Sequence, residues 1–303
     1  MKISVVIPTY RRADSLNRCL QGLQNQIRPP DEVVVVTRSG DGESNSLLDQ
    51  WHTLPLRKLV CDDVKGAVSQ YNLGLDQSQG DVIAVTDDDA VPRPDWLSRI
   101  ERHFAQDDKL GGVGGRDIVY ENGSPISGPA KAVGVVRWFG RIIHNHHLGS
   151  RKKSDVHILK GVNMSFKAMA IEGIRFDSDL RGQGAQTSLD LAFSLCVHKR
   201  GWRLLYDPEL IVDHYPATRF DGDQRTAPDM QAIEDSSFNM YLTLRRHMRR
   251  GARRRTALLW AWSIGTERSP GWARGLLSHL RGDQLGIEMR NAARRAWNDA
   301  ERY

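Results

Sequence analysis

The chain has 303 residues, with 43 Lys and Arg against 37 Asp and Glu, a formal net charge of +6, and 40% apolar residues. Those are ordinary figures for a soluble globular protein, and the length allows one large domain or two small ones. The cysteines Cys19, Cys61 and Cys196 are odd in number, far apart and in no metal spacing, which excludes a disulfide framework and reads as reduced core thiols in a cytoplasmic protein.

From the N-terminus, "KISVVIP" reads as a strand and "DSLNRCLQGLQNQ" (14–26) as an amphipathic helix with Asp14 as N-cap. The opening "MKISVVIPTYRR" has too few apolar residues before Pro8 for a signal peptide. "DEVVVVT" (31–37) is a second buried strand, "GESNSLLDQWHTL" a helix, and "RKLVC" (57–61) a third strand. "GAVSQYNLGLDQS" (66–78) carries apolar residues at helical spacing, "DVIAVT" is a fourth strand, and "PDWLSRIERHFAQ" (94–106) a helix with Pro94 in its first turn. Continuous Val/Ile strands alternating with helices mean an α/β protein whose mostly parallel sheet is covered on both faces.

Beyond residue 110 the pattern loosens. "GGVGGRDIVY" reads as a strand, and 121–155, rich in Gly, His and Lys, as loop and short strands around a site. "HILKGVNMSFKAMAIEGIRFD" (157–177) reads as strand then helix, "SLDLAFSLCVHKRG" (188–201) as an apolar helix, and "WRLLYDPELIVDHYP" as one or two strands. From about 228 the chain is helical and basic. "LRRHMRRGARRR" (244–255) carries most of the net charge, and "TALLWAWSIG" is about half the length a membrane span needs. The basic run is either a solvated helix face or a contact for an anionic partner. No nucleic-acid recognition module surrounds it.

Residues 82–100, "VIAVTDDDAVPRPDWLSRI", pose the chemical question, because a buried strand ends in Asp87, Asp88 and Asp89. Adjacent carboxylates raise one another's pKa, so a cation is expected among them. Ligands of parallel sheets sit beyond the carboxyl ends of the strands. There an Asp-X-Asp offers hard oxygen ligands for Mg²⁺ or Mn²⁺, ions that keep waters and bridge to phosphates. The alternative is a solvated acidic turn capping the next helix.

Five segments in order, "SVVIPTYRR", "KGAVSQYNLGL", "DVIAVTDDDAVPRPDWL", "GVNMSFK" and "GWRLLYDPELIVDHY", resemble a family 2 glycosyltransferase of the GT-A fold across residues 2–218. The resemblance implies a GT-A glycosyltransferase domain over 1–225, with a nucleotide-sugar-binding half (1–110) and an acceptor-binding half (111–225). The basic helical extension, 226–303, lies outside it. It also implies inverting transfer of a sugar from a nucleotide-diphosphate donor, a UDP-sugar first among the choices, with a divalent metal, Mg²⁺ or Mn²⁺, at the Asp-X-Asp. Pro8, Thr9, Tyr10 and Arg12 then belong to the nucleotide pocket, with Tyr10 as a stacking face. Asp62 or Asp63, Lys65, Gly66 and Asn72 fall near the nucleotide, Asp87 and Asp88 near ribose and diphosphate. Asp87, Asp89 and His214 are the implied metal ligands, His214 reaching back to the metal or the diphosphate.

Two positions depart from the family pattern. Where its second strand usually ends in a base-reading acid, this chain has Thr37 and Arg38, with Asp41 only later. The acidic pair expected to open the helix before "DL" reads Thr187 and Ser188. A serine is no general base near neutral pH, so the role passes to Asp190, the nearest carboxylate, or to Asp177 or Asp179. "TSLD" equally fits a capping box, with Thr187 as N-cap and Asp190 reaching back. The missing pair keeps a non-catalytic nucleotide-sugar- or glycan-binding homologue in view. A nucleotidyltransferase fits less well, since "PTYRRAD" contains no glycine-rich phosphate loop. Trp260, Trp262 and Trp272 beside arginines read either as a membrane-surface element suited to a lipid-linked acceptor, for a protein peripheral at the inner face of the membrane, or as a helical cap on the core. The acceptor would be a glycan or a lipid-linked sugar, as in bacterial surface glycan or glycoconjugate synthesis.

Overall fold

Unbroken Val and Ile runs are stable only when both strand faces are covered, and the structure covers them. This computed structural model describes residues 1–62, 66–126, 128, 132–182, 184, 186–217 and 229–303. In its first part β1 (Ile3–Pro8), α1 (Ala13–Gln24), β2 (Glu32–Arg38), α2 (Gly42–Asp49), β3 (Leu56–Cys61), α3 (Ala67–Gln77) and β4 (Val82–Val85) alternate. β1 lies parallel between β2 and β4, and β2 is parallel to β3. Then come β5 (Ala90–Pro92), α4 (Trp96–Gln106) and the long β6 (Leu110–Glu121). The Gly/His/Lys-rich stretch holds β7 (Ser124–Pro125), β8 (Val135–Val136), β9 (Ile142–Ile143) and β10 (Ser154–Val156). β11 (Met164–Lys167), α5 (Ala168–Ile171), α6 (Leu189–Lys199) and β12 (Arg203–His214) complete the sheet region, and α7 (Met230–Arg246), α8 (Ala252–Ser263), α9 (Trp272–Arg281) and α10 (Gln284–Ala300) follow.

The main sheet runs β10-β12-β6-β11-β4-β1-β2-β3, with β5 beside β12 and β7 beside β6. β11 is antiparallel to both β4 and β6, while β6 and β12 are parallel. One sheet therefore passes without a break from the first half of the chain into the second. Alternate residues of a strand feed opposite cores. Ile3, Val5 and Ile7 pack with α1 and α4 residues such as Leu20 and Trp96, whereas Val6, Val34 and Val85 pack with Val68, Phe193 and Phe238 from the helices of the other face. The same second core takes in Leu242, Ala257 and Ala296, so the C-terminal helices share apolar packing with the sheet. Gly74 on α3 is required here, because a Cβ would collide with Val6 of β1. The boundary expected near residue 225 lies outside the described residues. Among those described, no helix is long and apolar enough to cross a membrane.

Three local expectations change. Asp14 is inside the first turn of α1, and the N-cap position is Arg12, whose side chain makes no cap hydrogen bond. Pro94 precedes the N-cap, Asp95, because α4 begins at Trp96. α2 stops at Asp49 rather than running on to Leu54, a residue that Pro55 disfavours for helix.

Candidate active site

The carboxyl ends of β1, β2 and β4 open onto a cavity of about 580 Å³ lined by Pro8, Thr9, Tyr10, Arg12, Arg38, all three aspartates, Lys160, Asp190 and His214, among others. The aspartates sit there because β4 ends at Val85, after which the chain turns at once into β5. Asp88 and Asp89 are buried at 2% and 5% exposure, which rules out a solvated acidic turn.

Each carboxylate has its own partners. Tyr71 donates its hydroxyl to Asp87 Oδ1 at 2.6 Å, and Asp87 Oδ2 makes no hydrogen bond among the described residues. Asp88 takes Thr9 Oγ1 at 2.8 Å on one oxygen and Arg12 Nη1 at 3.0 Å on the other. Asp89 Oδ1 lies 3.2 Å from His214 Nε2, and its Oδ2 accepts the Ala217 amide at 2.9 Å. Burial and the charge of Asp89 push Asp87 and Asp88 above the usual carboxylate range. Burial acts on Asp89 in the same direction, but the His214 hydrogen bond and charge outweigh it and hold its pKa down.

His214 arrives through topology. β5 runs antiparallel to β12, which sets His214 opposite Ala90, the residue after the triad. β12 also pairs with β6, placing His214 against Val119 after an irregularity between Asp207 and Ile211, and Asp117 Oδ2 comes within 3.6 Å of His214 Nδ1. Burial alone would discharge this imidazole, yet Asp117 and Asp89 raise its pKa to about 9. His214 therefore stands between two carboxylates, its Nε2 on Asp89 and its Nδ1 facing Asp117, beside the Asp-X-Asp at which the sequence reading expected it. Asp117 is fully buried and also ion-paired to Lys160.

Around the nucleotide end, Gln70 ties the strands together by donating to the Thr9 and Val36 carbonyls at 2.8 and 2.7 Å and accepting from Arg38 Nε at 2.9 Å. Arg38 and Arg11 lie over the Tyr10 ring at 4.8 and 5.1 Å from its centroid. Asp41 is no base reader: it is buried, caps α2 through Ser44 N, and accepts the Arg11 amide at 2.6 Å. Gly66 (φ 105°) is the N-cap of α3, where a Cβ would crowd Gln186 Oε1 and the Gly184 carbonyl. Its lack of a side chain lets Gly184 and Gln186 close one wall, with Gln186 Oε1 accepting from Val68 N at 3.0 Å. Asn72 is not brought to the cavity. Its side chain bonds both backbone groups of Phe176 at 2.8 and 3.0 Å. Asp62 is exposed and does not line the cavity, and Asp63 and Lys65 lie outside the described residues.

At the opposite wall the capping box is not formed. Ser188, not Thr187, holds the N-cap position of α6, in the left-handed region at φ 70° and without a side-chain cap bond. Among the described residues Asp190 Oδ1 accepts only from the adjacent Leu191 amide at 2.8 Å, and Thr187 Oγ1 is buried without a partner. Asp177 and Asp179 do not line the cavity. Asp177 accepts from Arg246 Nη1 at 2.9 Å and pairs with His247 Nε2 at 2.6 Å, and Asp179 pairs with Arg246 at 2.7 Å. Both hold the end of α7. Tyr71, Lys160 and Gln186 are site residues that sequence reading missed. Only Tyr71 left a signal, as a ring on the helix leading to the strand ends.

The donor chemistry at the triad suits a divalent metal. Among the described residues no three His, Cys, Asp or Glu side chains converge to hold an ion by themselves. Mg²⁺ and Mn²⁺ do not need such a cage, since one or two carboxylates plus substrate phosphates and water suffice. Asp87, with an oxygen that makes no hydrogen bond among the described residues, and Asp89 are the carboxylates that would supply the protein's share.

An interrupted parallel sheet whose first, second and fourth strands end in a nucleotide-sized cavity floored by Asp-X-Asp defines a GT-A glycosyltransferase architecture. Residues 4–175 match the family described as Glycosyl transferase family 2, and the chain belongs to that family. It is 32% identical to "Glycosyltransferase AglE" of Haloferax volcanii over 101 residues, 32% of this chain and 33% of the relative. It is 25% identical to the glucosyl-dolichyl phosphate glucuronosyltransferase of the same organism over 222 residues, 71% and 69% of the two chains. It thus spans a third of the first relative's length and about two thirds of the second's. The fold is that of Staphylococcus aureus TarS 1-349 in complex with UDP-GlcNAc (TM-score 0.64, 16% identity, 99% of this chain and 79% of that one). It is also that of the mannosyltransferase PcManGT of Pyrobaculum calidifontis in complex with GDP-Man and Mn²⁺ (TM-score 0.61, 17% identity, 98% and 86%).

Proposed function

We propose that the protein is a metal-dependent inverting glycosyltransferase that moves a sugar from a nucleotide-diphosphate donor to an acceptor hydroxyl. The observation that carries this is the buried Asp87–Asp89 pair at the floor of a 580 Å³ cavity that also holds Asp190. When bound, a divalent cation held by Asp87 and Asp89 supplies charge neutralisation for the departing diphosphate. Tyr10 and Arg38 offer the base a ring and a guanidinium, and Arg12 fixes Asp88 at the ribose end. His214, 3.2 Å from Asp89 Oδ1, would reach the metal or the diphosphate from beside that carboxylate. Asp190 receives the proton of the acceptor hydroxyl as that oxygen attacks the anomeric carbon, a role supported by its place in the cavity wall and its freedom from a capping box.

UDP-sugars are the first donors to test, in line with the UDP-GlcNAc bound to TarS, and GDP-sugars the second, in line with PcManGT. The dolichyl phosphate in the name of the Haloferax relative supports a lipid-linked acceptor. Such an acceptor would suit a cytoplasmic protein working at the inner face of the membrane in surface glycan or glycoconjugate synthesis. The test is nucleotide release and sugar transfer across UDP-, GDP- and dTDP-sugars with Mg²⁺ or Mn²⁺, on the wild type and Asp89→Ala. Metal-dependent release that Asp89→Ala abolishes is expected. Metal-dependent binding with no turnover against a broad acceptor panel would instead establish a binding homologue, and no binding of any nucleotide-sugar would sink the reading.

A further inference from the structure

A second cavity, of about 340 Å³, lies among the C-terminal helices and shares no lining residue with the aspartate cleft. Tyr241 of α7, Trp262 of α8, Trp272 of α9 and Arg290, Arg294, Trp297 and Asn298 of α10 line it. Trp262 and Trp272 are 45% and 55% exposed, an unfavourable use of large rings unless something covers them. Tyr241 and Trp297 meet edge to face at 5.0 Å, and the Tyr241 hydroxyl is tied to Ser269 at 3.0 Å, so this wall is fixed.

The charges are as informative as the rings. The other arginines of α7 and α10 are paired: Arg245 with Glu301, Arg246 with Asp177 and Arg295 with Glu234. Arg290 and Arg294 meet no carboxylate at ion-pair distance among the described residues, and no acid lines the cavity. Burial and the neighbouring charge of Arg294 lower the pKa of Arg290, the mark of a cation with no counter-ion. Its stem crosses Gly275 of α9, where a Cβ would stand 3.0 Å from its Cδ, so α9 and α10 are fitted around this side chain.

We propose that this cavity binds a sugar residue bearing a phosphate or a carboxylate. Aromatic faces take the C–H faces of a pyranose, and an arginine fork takes an oxyanion. A bare anion would leave the rings unused, and a neutral sugar the guanidinium groups. Tyr241 and Trp297, close to perpendicular, form no parallel slot for a nucleobase between them. The volume, near the lower end of small-molecule sites, matches one or two sugar units.

Calorimetric titration of the full chain tests this with a glucuronic-acid tetrasaccharide and with glucose 6-phosphate. Maltotetraose is the neutral control, UMP the nucleotide control, and phosphatidylglycerol vesicles the lipid control. The anionic sugars should bind, and Trp272→Ala and Arg290→Gln should each weaken them by about tenfold or more, with Trp272→Phe restoring most of the loss. UDP binding at the aspartate cleft should be unchanged in all three variants, which also shows that they fold. Equal binding of maltotetraose, tighter binding of UMP lost in the same variants, indifference of the anionic sugars to the variants, or vesicle binding without sugar binding would each overturn the proposal.

Discussion

Asp190→Asn separates the two roles that its position near the start of α6 permits. As a cap, Asp190 would contribute about 1 kcal/mol, and the amide would lose much of that. The structure assigns it no such bond: Ser188 sits at the N-cap with no side-chain contact, and Asp190 Oδ1 reaches only its neighbour's amide. What remains is favourable charge at a helix N-terminus, worth about 0.3–1 kcal/mol at most. Asp190→Asn should therefore unfold within about 1 kcal/mol of the wild type in urea. As a general base it contributes about 10²–10⁴ to the rate, or about 3–5 kcal/mol of transition-state stabilisation. Single-turnover transfer should fall by that factor while donor affinity holds, because the nucleotide contacts lie at the other wall. Normal turnover with a clear loss of stability would refute the base and restore the cap.

Three further outcomes follow from the geometry. Arg38→Ala should raise the KM for the donor more than it lowers kcat, and should weaken discrimination among UDP-, GDP- and dTDP-sugars, because Arg38 stacks on Tyr10 where the base would lie; unchanged selectivity would remove it from base recognition. His247 is raised to about 9, burial opposing its charge and the hydrogen bonds with Asp177 and Cys196 favouring it. Its contribution, at most about 3 kcal/mol, is therefore full below pH about 6.5 and lost as pH rises through about 9, so the stability gap between wild type and His247→Gln in urea titrations should close over that window. Gly66→Ala should cost donor affinity and stability together, since a side chain at φ 105° would strain the backbone and push back Gln186; a silent substitution, judged by UDP titration and thermal melting, would show that the wall at Gly184 and Gln186 does not depend on this contact.

The sheet was legible because its strands announce themselves as unbroken Val/Ile runs, and the aspartates because one such run stops abruptly at them. Thr9 and Arg12 came with the turn after β1. His214 was legible as a position but not in its partners. Its pairing with Asp117, nearly a hundred residues away, exists only because β12 is parallel to β6 and antiparallel to β5. "TSLD" misled for a local reason: it fits a capping pattern, but the left-handed Ser188 shifts the helix start by one residue and breaks the reciprocal bond. Asn72 lies on a helix that borders the cavity, yet its side chain reaches back to Phe176, a direction no spacing reveals. The second cavity was invisible for a similar reason, since its lining comes from four helices and follows no period.

The charges around the triad carry a last prediction. Asp87, Asp88, Asp89 and the Asp117 behind them crowd together, with Arg12, Lys160 and the His214 imidazole as the basic groups paired to them. A nucleotide diphosphate brings further negative charge to a cleft already rich in carboxylates. Buried in this way, like charges repel strongly unless an ion intervenes. The base end has no such deficit, because Tyr10 lies under Arg11 and Arg38. Uridine should thus bind with nearly the same Kd with Mg²⁺ or with EDTA, whereas UDP should lose about tenfold or more when the metal is removed. The difference between the two ligands isolates the diphosphate and cancels any general effect of the metal on the fold. Equal metal dependence for uridine and UDP would place the cation away from the diphosphate. Equal indifference would mean that His214, Arg12 and Lys160 suffice without one.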